Sequence, residues 1–75
     1  MADKILKIPP QDEEAEVSVL GSIMLDKDAM LKVVDIISAA DFYNPAHQKI
    51  YEVALELFAK GEPIDALTVT SRLKG

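Results

Sequence analysis

Apolar residues recur along the chain in steps of three and four, and polar stretches rich in helix-start and helix-stop residues separate the runs; this rhythm predicts helices throughout. Residues 1–11 end in Pro9-Pro10-Gln11, which favours extended backbone and reads as an N-terminal arm. From Asp12 the pattern becomes Asp-Glu-Glu-Ala-Glu followed by Val19, Leu20, Ile23 and Met24, spacings that share one helix face. Asp12 is the expected N-cap, and the carboxylates of Asp12, Glu13, Glu14 and Glu16 suit the positive end of a helix dipole, where they are expected to be solvated. Gly21 falls inside this helix, and a glycine there predicts close approach of another element.

After Leu25, Asp26 is positioned to cap a second helix over about 27–37, with Ala29, Met30, Val33, Val34 and Ile37 on its apolar side. Its β-branched residues would suit a strand, but they do not alternate with period two. Residues 38–43 form a connector whose Phe42-Tyr43 pair predicts two buried aromatic anchors. The third helix has the clearest boundaries: Asn44 as N-cap, Pro45 at the first helical position, Gly61 just past the last turn and Lys60 at the negative dipole end. Ala46, Ile50, Val53, Ala54, Leu57 and Phe58 keep the apolar rhythm, and Lys49, Glu52 and Glu56 offer pairing on the opposite side. Asp65 can cap a fourth helix through Leu73, with either Leu67, Thr70 and Leu73 or Ala66, Val69 and Leu73 facing inward. The pattern therefore gives an all-α protein, a small compact bundle of about four short helices, with residues 12–75 as one helical unit behind the arm.

Composition narrows the function. At 75 residues there is room for one domain, and 49% hydrophobic with 28% charged residues is enough to build a core and a solvated face. Thirteen acidic residues against 8 basic ones give a formal net charge of −5, and the basic residues are scattered, so direct binding of nucleic acid or of an anionic membrane surface is not expected. Cysteine is absent, which removes disulfides, thiolate chemistry and zinc knuckles. The longest apolar stretches are broken by Asp35 and fall far short of the ~20 residues of a membrane span, and no signal peptide is visible. This composition fits a cytoplasmic protein.

No constellation for catalysis emerges. The three glycines, Gly21, Gly61 and Gly75, cannot form the glycine-rich cradle that a nucleotide phosphate needs. His47 is the single histidine and has no partner at ligand or catalytic spacing, so it reads as a structural or surface residue. Met24 and Met30 lie on apolar faces and read as core. No catalytic, cofactor-binding or metal-ligating residues are assigned, and the residues singled out (Asp12, Asp26, Asn44, Pro45, Gly61 and Asp65) have structural capping roles. A small acidic helical unit of this kind is expected to contact other protein chains.

Three blocks carry a family resemblance. Pro9-Pro10-Gln11-Asp12-Glu13-Glu14-Ala15-Glu16 with Val19-Leu20-Gly21-Ser22-Ile23-Met24-Leu25-Asp26 resembles the opening P-P-Q-x-x-E-A-E-x-x-V-L-G-x-x-x-L-D of bacterial replicative DNA helicases of the DnaB type. Asp41-Phe42-Tyr43 through His47, Ile50 and Tyr51 is similar to that family's D-F-Y-x-x-x-H-x-x-I-[FY] segment, and Gly61-Glu62-Pro63-Ile64-Asp65 with Thr68-Val69 to its G-x-P-I-D-x-x-T-V segment. The resemblance covers about residues 9–73. It implies an N-terminal helical domain that forms the collar of a hexameric ring, contacts neighbouring helicase subunits and docks primase or a helicase loader. ATP and Mg would then act in a RecA-like motor outside these residues, and this chain would itself be no enzyme. The reading from another class is a free-standing helical adaptor without a motor; a reading frame that continues into a phosphate-binding loop separates the two.

Overall fold

Each helix starts where a short polar side chain can receive the free amides of its first turn. In the computed structural model, which describes residue 8 and residues 11–74, Asp12 precedes α1 (Glu13–Leu25) and Asp26 precedes α2 (Lys27–Val33). A 3-10 turn, Ala39–Asp41, leads into α3 (Pro45–Ala59), and α4 (Ala66–Lys74) follows. All regular structure among the described residues is helical, with four α-helices and no strand. Most of the N-terminal arm lies outside the described residues; of the rest, Ile8 is buried in the core cluster and Gln11 adopts a left-handed backbone at φ 57°.

The helix α3 is the centre of the packing, in contact with α1, the 3-10 turn and α4. Tyr51, Ala54 and Leu57 point inward from it, one turn apart, and each is fully buried. Val19, Leu20 and Ile23 from α1, Ala29, Met30 and Val33 from α2, and Val69 from α4 close on them, with Ile37, Phe42 and Ile64 filling the gaps between helices. The Phe42 and Tyr51 rings pack with centroids 5.0 Å apart. Truncating a side chain such as Leu57 in this cluster would cost about 2–5 kcal/mol, a large share of the roughly 4–11 kcal/mol available to a chain this short.

Several expectations are corrected. The second helix ends at Val33, not Ile37; residues 34–36 form a turn. Four β-branched residues in five lower helix propensity there, and the Tyr51 hydroxyl donates to the Ile37 carbonyl at 2.6 Å, with the Val33 carbonyl at 3.5 Å, so a side chain from α3 fixes the end of α2. Ile37 still reaches the core through that turn. Of the aromatic pair, Phe42 is buried and Tyr43 is 62% exposed, because the extended backbone at Phe42 sends consecutive side chains to opposite sides. Of the two faces open for α4, the one that carries Val69 turns inward, with Val69 buried and Leu67 79% exposed, although Ala66 and Leu73 on that side stay exposed. Gly21 faces open space, with nothing within 4 Å of where a Cβ would stand, so no element approaches it closely. The expected pairing of Lys49, Glu52 and Glu56 is replaced by contacts of Glu56 with Lys60 at 3.5 Å and Arg72 at 3.2 Å.

Candidate functional site

The capping residues build the ends of the elements. Asp12 Oδ1 accepts from the Ala15 amide at 3.0 Å, Asp26 Oδ1 from Asp28 at 2.9 Å, and Asp65 Oδ1 from Thr68 at 2.8 Å. The Thr68 amide and hydroxyl hold the Asp65 carboxyl below its ordinary range. Asn44 Oδ1 accepts from Ala46 at 2.8 Å, and Pro45 occupies the first helical position, where no amide is required. At the other end of α3, Gly61 sits at φ 71°; its amide donates to the Phe58 carbonyl and that of Glu62 to Leu57. This paired closure is the Schellman arrangement, which needs a left-handed residue just past the helix.

One carboxylate expected in solvent is in the interior. Glu16 is 1% exposed, and its Oε2 accepts from the Tyr43 amide at 2.6 Å. Its Oε1 lies 2.7 Å from His47 Nδ1 and 3.3 Å from the Asn44 amide. Burial pushes the Glu16 carboxyl up, but the hydrogen bonds from His47 and from the Tyr43 and Asn44 amides outweigh it, and the net shift is downward. Beside it Glu13 Oε2 accepts from Asn44 Nδ2 at 2.7 Å. Two carboxylates from the first turn of α1 thus grip the start of α3, where the helix dipole is positive. Sequence spacing placed Glu16 only on its own helix; the signal that could have found it is its position three residues before Val19 and seven before Ile23, on the buried face.

This cluster is saturated: no buried side-chain nitrogen or oxygen among the described residues lacks a partner. It joins the first turn of α1 to the start of α3. The surface offers the remaining chemistry. A cleft of about 400 Å³ opens between α2 and the α3–α4 loop, lined by Asp28, Leu31, Phe58, Gly61, Glu62, Pro63 and Ile64. No described helix is long and apolar enough to cross a membrane.

The family model of the DnaB-like helicase N-terminal domain matches residues 8–75, nearly the whole chain. The chain belongs to the DnaB-like helicase N-terminal domain family. The replicative DNA helicase DnaB of Mycobacterium leprae is 51% identical over 65 residues, 87% of this chain and 11% of that protein. DnaB of Geobacillus stearothermophilus is 46% identical over 67 residues, covering 89% of this chain and 15% of its own length. Among solved structures, the N-terminal domain of DnaB helicase from Mycobacterium tuberculosis superposes with a TM-score of 0.82 at 49% identity, over 89% of this chain and 46% of that one. The all-helical fold is therefore that of a DnaB N-terminal domain, and the chain spans a small part of the replicative helicases it matches.

Proposed function

We propose that this chain serves as the protein-contact domain of a replicative DNA helicase, acting in the collar that assembles neighbouring subunits into a ring and docking primase or a helicase loader. The observation that carries the reading is the match of residues 8–75 to the DnaB-like N-terminal domain, joined to a sequence that offers helical surface and no reacting groups. Unwinding of DNA at the replication fork, with ATP and Mg, belongs on this reading to a motor outside these 75 residues. The residues present do not fit a nucleotide: Gly21 lies in mid-helix and Gly61 closes α3, so neither belongs to a phosphate cradle. The acidic surface favours protein over phosphate backbones as partner, and the site of action is the cytoplasm.

The test is capture of primase, loader and helicase subunits by the parent protein with and without this segment. Loss of capture on deletion, with ATP hydrolysis by the motor retained, is the expected result. Undiminished capture and ring assembly by the deleted form would overturn the proposal.

A further inference from the structure

The cleft between α2 and the α3–α4 loop is apolar at its base and acidic at its edge. Leu31, Phe58, Pro63 and Ile64 supply the apolar lining, and Leu31 remains 61% exposed although it stands on a helix with a buried face available. Asp28 and Glu62 stand at the margin. The C-terminal end of α3, with its negative dipole, also borders the cleft through Phe58 and Gly61. Lys60 pairs with Glu56 at 3.5 Å, and Arg72 is shared between Glu56 at 3.2 Å and Glu62 at 3.7 Å, so Glu62 is only partly neutralised; the Asp28 carboxylate has no ion-pair or hydrogen-bond partner among the described residues.

We infer that this cleft docks a basic amphipathic helix of another protein, with an apolar side chain seated between Leu31, Phe58 and Ile64 and flanking Lys or Arg residues meeting Asp28 and Glu62. Charge complementarity selects that occupant: an apolar floor alone would accept any hydrophobic segment, whereas two carboxylates and a helix C-terminus repel an acidic one. A second copy of this chain, at net −5, brings the wrong sign. The inference rests on reading the chain as a protein-contact domain and adds to it the surface and the chemistry of one partner.

The test is amide chemical-shift titration of the 75-residue chain with a synthetic helical peptide carrying leucine at i, i+3, i+4 and i+7 and lysine at the flanking positions. A second peptide has glutamate in place of every lysine. The expected result is shifts at Leu31, Phe58, Gly61 and Ile64, binding that weakens with salt, and at least about tenfold weaker binding of the glutamate peptide, equal to about 1.4 kcal/mol. Leu31→Asp, at an exposed position, should abolish binding with an unchanged melting temperature, and Asp28→Asn with Glu62→Gln should erase the difference between the peptides. Equal binding of both peptides, shifts confined to other faces, or the same shifts on concentration alone with dimer formation in sedimentation would overturn the inference. So would protection of these amides in the full-length helicase without added peptide, because the helicase's own polypeptide would then occupy the cleft. Capture of primase or loader by the parent protein is read separately, so its persistence alongside a failed titration would remove only this inference.

Discussion

Glu16 Oε1 and His47 Nδ1 lie 2.7 Å apart and join the first turn of α1 to the first turn of α3, 31 residues later. An ionised carboxylate only accepts, so His47 donates through Nδ1. Together with the Tyr43 and Asn44 amides, the ring gives a carboxylate that is 1% exposed enough donors to stay charged.

The acid side of stability should follow Glu16. Its folded pKa lies below the ordinary 4.5, so its contribution is present above that value and fades as pH falls through the lower folded value. Glu16→Gln keeps the shape but turns an amide group toward existing donors, and should destabilise by about 2–3 kcal/mol at neutral pH. Urea midpoints between pH 2 and 7 should show a shallower acid decline in the variant; an unchanged decline would place the acid-sensitive group elsewhere.

Asn44 does two jobs that Asp cannot combine. Its Oδ1 caps α3 through Ala46, and its Nδ2 donates to Glu13. Asn44→Ala should cost about 1–2 kcal/mol through loss of the cap and of the tie to α1. Asn44→Asp retains the cap but sets a second carboxylate against Glu13, so it should recover little of that loss, and adding Glu13→Gln should restore it. Thermal melts of the four proteins check the order.

The two described glycines should respond in opposite directions. Gly21 is helical with open space at the Cβ position, and Gly21→Ala should stabilise by about 0.5–1 kcal/mol. Gly61, at φ 71°, should lose about 1–2 kcal/mol as Ala, since a Cβ strains the left-handed conformation. Chemical denaturation of both variants provides the comparison.

Tyr51 governs the alkaline side. Burial, aided by the Asp41 charge, pushes its hydroxyl up to about 12. The folded pKa is raised, so the stabilisation is complete below about 10 and is lost as pH climbs from 10 toward 12. Tyr51→Phe leaves the Ile37 carbonyl without that donor and should cost about 1–2 kcal/mol at pH 7, with a flatter profile above pH 10 in fluorescence-monitored unfolding.

The sequence by itself determined the helical class, the positions of the helix starts and the ends of α3, because these are local matters: a capping side chain needs only the next three amides, and Gly61 needs only its own φ. It also carried the DnaB-type resemblance, through three blocks whose residues now have visible work. Glu16 and His47 form the buried link, and Gly61 to Asp65 close α3 and open α4. Only the tertiary structure decided that Glu16 is interior while Glu13 and Glu14 are exposed, that Phe42 is buried and Tyr43 exposed, and that α2 stops at Val33. Each of these depends on a partner far along the chain: the start of α3 for Glu16, the Tyr51 ring for Phe42, the Tyr51 hydroxyl for α2. Helical periodicity reports which residues share a face, but a carboxylate on that face is buried only when another element brings enough donors to replace water.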